Sequence, residues 1–159
     1  MTRLSRPEPQ SLIEYAPARI ASSADLPWIP ISPEKSWKPL RFFADDRGFV
    51  QLFRMEPGTM SPLQRHTGEV HAFNLGGQRQ LCTGEVIGPG DYVYERPGNI
   101  DTWKVVGDEP LTVLVVVMGR VEFLGPDHGV TGHLSAQTQL QTYHAHCGQH
   151  GLPVLNLVE

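Results

Sequence analysis

From Leu26 onward the chain is a succession of short runs rich in β-branched and aromatic residues, each closed by a turn signal. The runs fall at 28–31, 37–43, 49–55, 70–75, 79–83, 92–95, 102–106 and 111–124. Between them stand Asp45-Asp46-Arg47-Gly48, Glu56-Pro57-Gly58, Gly76-Gly77, Pro89-Gly90 and Pro97-Gly98, which supply a residue tolerant of positive φ or a pre-set bend. Many short strands at close spacing, with no helical pattern among them, predict an all-β sandwich or barrel rather than a βαβ sheet. The segment 111–118, apolar on both faces, predicts a central strand covered on two sides. One helix is expected, at 135–147, with Ser135 as its N-cap and Gly148 as its end.

The organisation read from this pattern is an N-terminal arm at 1–25, rich in Pro, Ser and charge, followed by one domain at 26–159. A chain of 159 residues with 40% hydrophobic content has material for one ordinary core and not for two. Its net charge of −4 supplies neither a basic face for nucleic acid nor a polybasic run for an anionic membrane, so small molecules or proteins are the expected partners. No apolar run reaches the roughly 18 residues of a spanning helix, and a cytoplasmic location is expected. Cys82 and Cys147 lack the pair spacing of a zinc site and are expected as free thiols.

The segment GTMSPLQRHTGEVHAFNLGG carries the chemistry. Gln64 and His66 are two apart and project together from a strand. His71 lies past the Thr67-Gly68 break, on a face shared with Phe73 and Leu75, and Asp101 follows the Pro97-Gly98 turn. Two imidazoles and a carboxylate on one face would form a 2-His-1-carboxylate site suited to non-haem Fe(II), made by His66, His71 and Asp101 with Gln64 beside them. Three acids compete for a role as extra ligand or general base: Glu85 first, then Glu95 and Glu69. Phe73, Tyr94 and Trp103 are the expected substrate contacts, an apolar surround that suits an aromatic or planar molecule. Arg65 and Arg79 could hold a phenolate or carboxylate, although Arg65 alternates away from His66. His144, His146, Cys147 and His150 cluster on the expected helix, where an electrostatic role at a helix C-terminus explains them better than metal binding.

The two motif segments resemble those of the cupin superfamily, the double-stranded β-helix or jelly-roll barrel. Gly58, Gln64, His66 and His71 stand at the places of the first cupin motif, and Gly90, Arg96, Gly98 and Asp101 at those of the second. RHTGEVHAF with GDYVYE and FLGP is similar to the small cupins that cleave carbon–carbon bonds with dioxygen, of the 2,4'-dihydroxyacetophenone and acetylacetone-cleaving dioxygenase type. The resemblance implies an Fe(II)-dependent oxidoreductase, a dioxygenase acting on dioxygen and a small carbonyl-bearing, hydroxyacetophenone-like substrate. Gln64 and Asp101 stand where those enzymes place histidines. Two alternatives stay open: a non-catalytic metal- or ligand-binding sensor cupin, and an oxygen-independent metal-dependent isomerase or lyase. The open sheet edges of such a barrel predict a homodimer or higher even homo-oligomer.

Overall fold

A computed structural model describes residues 18–159; most of the expected N-terminal arm lies outside the described residues. Thirteen strands and one helix follow one another, all but the last element being β after a short 3₁₀ turn at Ser23–Asp25. The strands are β1 (Ile29–Ser32), β2 (Lys35–Phe43), β3 (Gly48–Met55), β4 (Gln64–His66), β5 (Val70–Gly76), β6 (Gln78–Leu81) and β7 (Val86–Ile87). Then come β8 (Tyr92–Glu95), β9 (Ile100–Asp101), β10 (Trp103–Val106), β11 (Leu111–Met118), β12 (Val121–Leu124), β13 (Val130–Leu134) and α1 (Ala136–His150).

The strands form the jelly-roll barrel of a cupin. One wall is a six-stranded sheet in the order β1-β2-β3-β11-β5-β8, and the other combines β13-β12-β4-β9 with β10-β6-β7. All pairings between named strands are antiparallel. β11 sits between β3 and β5, the central position its two-sided apolar pattern calls for. The run at 111–124 is nevertheless two strands. Gly119, at φ 66°, turns the chain so that β12 leaves the six-stranded wall and pairs with β4 and β13 on the other.

Asp45 and Asp46 both take positive φ in the β2–β3 turn, as a tight hairpin requires and as Asp tolerates better than most residues. Helix α1 begins where the sequence puts it, with Ser135 and Thr138 forming a reciprocal capping box. It runs past Gly148 and ends at Gly151, whose φ of 62° provides the left-handed cap. An interior glycine costs a helix only about 1 kcal/mol, which the packed face offsets. That face is Ala136, Gln139, Tyr143 and Cys147, spaced three or four apart and laid against β2. Tyr143 stacks on Phe42 with ring centroids 6.1 Å apart, and its hydroxyl accepts a 2.9 Å hydrogen bond from the Leu155 amide. A second cluster, Met55, Ala72, Val105, Leu111 and Val113, closes the barrel away from the helix. Both cysteines are free; Cys82 is exposed and Cys147 buried.

Candidate metal centre and substrate cavity

Three short elements aim polar side chains into the barrel. In β4, Gln64 and His66 turn inward while Arg65 turns out to pair with Glu122 at 2.9 Å. Gln64 lies directly across the ladder from Asp101 of β9, so amide and carboxylate share the inner face. In β8, Tyr92 and Tyr94 are exposed, which leaves Glu95 on the inward parity. The Pro97-Gly98 turn joins β8 to β9 and clamps the site through its backbone. His66 N–H donates to the Asn99 carbonyl at 2.9 Å, and Gly98 N–H donates to the His66 carbonyl at 2.6 Å. Gly98 holds a φ of 85°, which a side chain would oppose.

His66, Glu95 and Asp101 therefore converge. His66 Nε2 is 3.6 Å from Glu95 Oε2 and 3.7 Å from Asp101 Oδ1. One donor atom from each of the three residues lies within 4.8 Å of those of the others. The Gln64 amide approaches His66 Nε2 at 3.5 Å. Asn99 donates to Glu95 Oε1 at 2.7 Å, which leaves Oε2 turned toward the imidazole.

The electrostatics are those of a site short of positive charge. Burial pushes the Asp101 carboxyl up to about 8, and the adjacent Glu95 carboxyl adds to the shift, against the opposing pull of Gln64 and Arg79. Burial also lowers the His66 pKa, partly countered by Glu95. His66 Nδ1 and Asp101 Oδ1 are buried without a hydrogen-bond partner among the described residues, an arrangement that is costly in a protein interior. One imidazole and two carboxylates within a few ångströms fit a divalent cation, which would relieve both the repulsion and the unpaired oxygen.

The cluster opens on a cavity of about 170 Å³ whose walls are largely apolar, among them Phe49, Phe53, Val113, Val115 and Trp103. Trp103 meets Phe53 edge to face at 6.3 Å. Arg79 of β6 lines the same cavity, its guanidinium 4.9 Å from the centre of the Trp103 ring.

Several expected site residues lie elsewhere. His71, Phe73 and Leu75 do share a face, but it is the outer one. Val70, Ala72 and Asn74 are the buried set of β5. His71 is therefore not brought to His66 and Asp101; it bonds the Tyr92 hydroxyl at 2.5 Å and lies 3.2 Å from Glu69. The register explains this, since His71 pairs with Tyr94, whereas Val70 pairs with Glu95. The 2-His-1-carboxylate grouping is thus corrected to one histidine and two carboxylates. Phe73 and Tyr94, 42% and 51% exposed, are outside the cavity, and of the three expected substrate contacts only Trp103 lines it. Glu85 is exposed and accepts a hydrogen bond from the Thr83 hydroxyl in the β6–β7 turn, outside the cavity that Glu95 lines. Of the helix histidines, 144 and 150 are exposed and 146 is half-buried, with the rings of His146 and His150 4.4 Å apart. Glu95 was visible as a strand-end acid, but strand parity could not be fixed where both faces carry apolar residues; Asn99 gave no signal.

An antiparallel jelly-roll barrel with an imidazole–carboxylate cluster beside an apolar cavity defines a cupin with a candidate metal centre. The chain belongs to the ChrR cupin-like domain family (Cupin_7), whose pattern matches residues 17–122. No curated protein matches it in sequence. Among solved structures, an RmlC-like cupin from Ralstonia eutropha JMP134 superposes with a TM-score of 0.84 at 20% identity, over 90% of this chain and 95% of that one. A cupin-fold protein of unknown function from the same organism gives 0.82 at 18%, over 92% and 96%. An acetylacetone dioxygenase from Acinetobacter johnsonii gives 0.71 at 13%, over 85% and 96%. At these identities the likeness is one of fold. No helix among the described residues is long and apolar enough to cross a membrane.

Proposed function

We propose that the chain is a metal-dependent enzyme that cleaves a carbon–carbon bond of a small carbonyl-bearing substrate with dioxygen, with Fe(II) held by His66, Glu95 and Asp101. What supports this is the convergence of those three donors, two of which, His66 and Glu95, line an apolar cavity. The choice of oxidative cleavage follows the resemblance of the motif segments and the acetylacetone dioxygenase of the same fold.

A divalent iron held by His66, Glu95 and Asp101 would supply Lewis-acid polarisation of a carbonyl and redox chemistry with dioxygen. The residues of the chain do the rest. Asn99 fixes the Glu95 carboxylate, and the backbone clamp around Gly98 fixes His66. The Gln64 amide offers a hydrogen bond beside the imidazole. Phe53, Val115 and Trp103 exclude water and receive a flat apolar body.

One observation favours a second reading, an oxygen-independent lyase or isomerase. Two carboxylates to one imidazole make a harder, more oxygen-rich set than a histidine-dominated one and suit Mn²⁺ or Mg²⁺ as well as Fe(II). The test is elemental analysis of untagged protein, followed by oxygen-electrode assays of the Fe(II)-loaded protein on diketones and hydroxyacetophenones. Oxygen uptake matched to substrate loss is expected. Equal substrate loss under argon would replace the oxidative reading with the second. Bound metal with no turnover under either gas would indicate a binding module.

A further inference from the structure

The mechanism above leaves Arg79, a buried cation of the cavity, unused. Arg79 is 4% exposed, sits on the inward parity of β6 and lines the cavity together with Gln64, His66, Glu95 and Trp103. No carboxylate oxygen among the described residues lies within 4.0 Å of its nitrogens, and none of the described residues accepts a hydrogen bond from its guanidinium. Its Nε is buried and unpartnered. The Trp103 ring lies 4.9 Å from the guanidinium carbon, a distance suited to a cation–π contact that supports the charge without using the N–H fork.

Charge counting shows what is missing. With a divalent cation on a neutral His66 and ionised Glu95 and Asp101, the metal and its ligands sum to zero. Arg79 then remains as a full positive charge in a largely apolar cavity, since a guanidinium is not deprotonated in a protein. An uncompensated buried charge is costly, whereas a planar guanidinium and a carboxylate satisfy each other bidentately. We propose that Arg79 is the anchor for an anionic oxygen pair on the ligand, so that the site takes a small monoanionic carboxylate with a flat apolar body lying against Trp103. This rests on the metal-dependent reading for its account of the ligand as substrate, and it narrows the substrate class from carbonyl compounds to anionic ones.

Benzoate and benzamide differ in charge but hardly in shape, and titration calorimetry of both into Zn²⁺-loaded protein tests the assignment. Benzoate is expected to bind at least about tenfold more tightly than benzamide. In Arg79→Met that preference should vanish, with benzamide affinity and metal content unchanged. Arg79→Lys keeps the charge but loses the fork and should bind benzoate severalfold more weakly than the parent, which provides a test even if Arg79→Met does not fold. Equal affinity for the two probes in the parent, a preference that survives Arg79→Met, loss of metal from that variant, or undiminished benzoate binding in Arg79→Lys would each overturn the proposal. Oxygen uptake on neutral diketones without any benzoate preference would sink the anionic class while leaving the metal-dependent reading intact. An Arg79-dependent benzoate preference in protein that binds no metal would do the reverse.

Discussion

Asp101 gives the sharpest physical test of the cluster, because its proton affinity makes stability fall with pH in a window no other identified group shares. Its carboxyl is raised from 3.8 to about 8 in the folded protein, so between those values the folded state holds a proton that the unfolded chain releases. Stability must then drop as pH rises, by about 1.4 kcal/mol per unit for one proton. Below pH 6.5 the lowered pKa of His66 works in the opposite direction, since its unfolded form binds the extra proton there. The uncompensated window is therefore pH 6.5 to about 8. Allowing for partial ionisation near the upper limit, the metal-free protein should lose about 1.5 kcal/mol across it. For a chain of this size that is about 3–6 °C in melting temperature.

Thermal and urea unfolding of chelator-treated protein at pH 6.5, 7.0, 7.5 and 8.0 measures the slope. Asp101→Asn keeps the shape and removes the ionisation, so its profile should be flat over the same range. Adding Mn²⁺ to the parent should reverse the slope, because the cation competes with the proton for the same oxygen and stabilises more strongly as pH rises. A flat profile in the parent, or the same slope in Asp101→Asn, would refute the reading of Asp101 as a buried carboxylate awaiting a cation.

His66→Ala is expected to abolish most metal binding, whereas His71→Ala, on the outer face with Tyr92 and Glu69, should leave metal content near that of the parent; equal loss in the two would refute the placement. Tyr143→Phe removes the acceptor for the Leu155 amide from a fully buried ring and should cost about 1–2 kcal/mol in urea unfolding. Gly77→Ala places a Cβ 2.3 Å from the Pro110 carbonyl oxygen at a φ of 69°, and should cost more than about 2 kcal/mol, whereas a melting temperature unchanged from the parent would contradict that. The six-stranded sheet ends in edge strands β1 and β8, and light scattering at micromolar concentration should return the mass of a homodimer or higher even oligomer rather than a monomer.

The sequence by itself determined the longer strands, the start of the helix and the motif positions, whereas β7, β9 and β13 carry no run of their own and the run at 111–124 divides at Gly119. Strand runs bounded by glycine and proline turns, the two-sided apolar pattern of β11 and the Ser135 cap are local signals, written in nearest-neighbour chemistry that does not depend on the rest of the chain. Gln64, His66 and Asp101 were legible for the same reason: a two-residue spacing and a fixed turn set their direction. Which way β5 and β8 face was not legible. Val70, Ala72, His71 and Phe73 alternate between two surfaces that both accept apolar residues, so hydrophobicity cannot choose, and a one-residue change of parity exchanges His71 for its neighbours. The choice is made across the ladder, where His71 opposes Tyr94 and Val70 opposes Glu95, and where the barrel must close around residues small enough to fit. Tertiary pairing thereby places His71 on the outer face and brings Glu95 and Arg79 to the cavity, which gains a carboxylate and a buried cation beside His66.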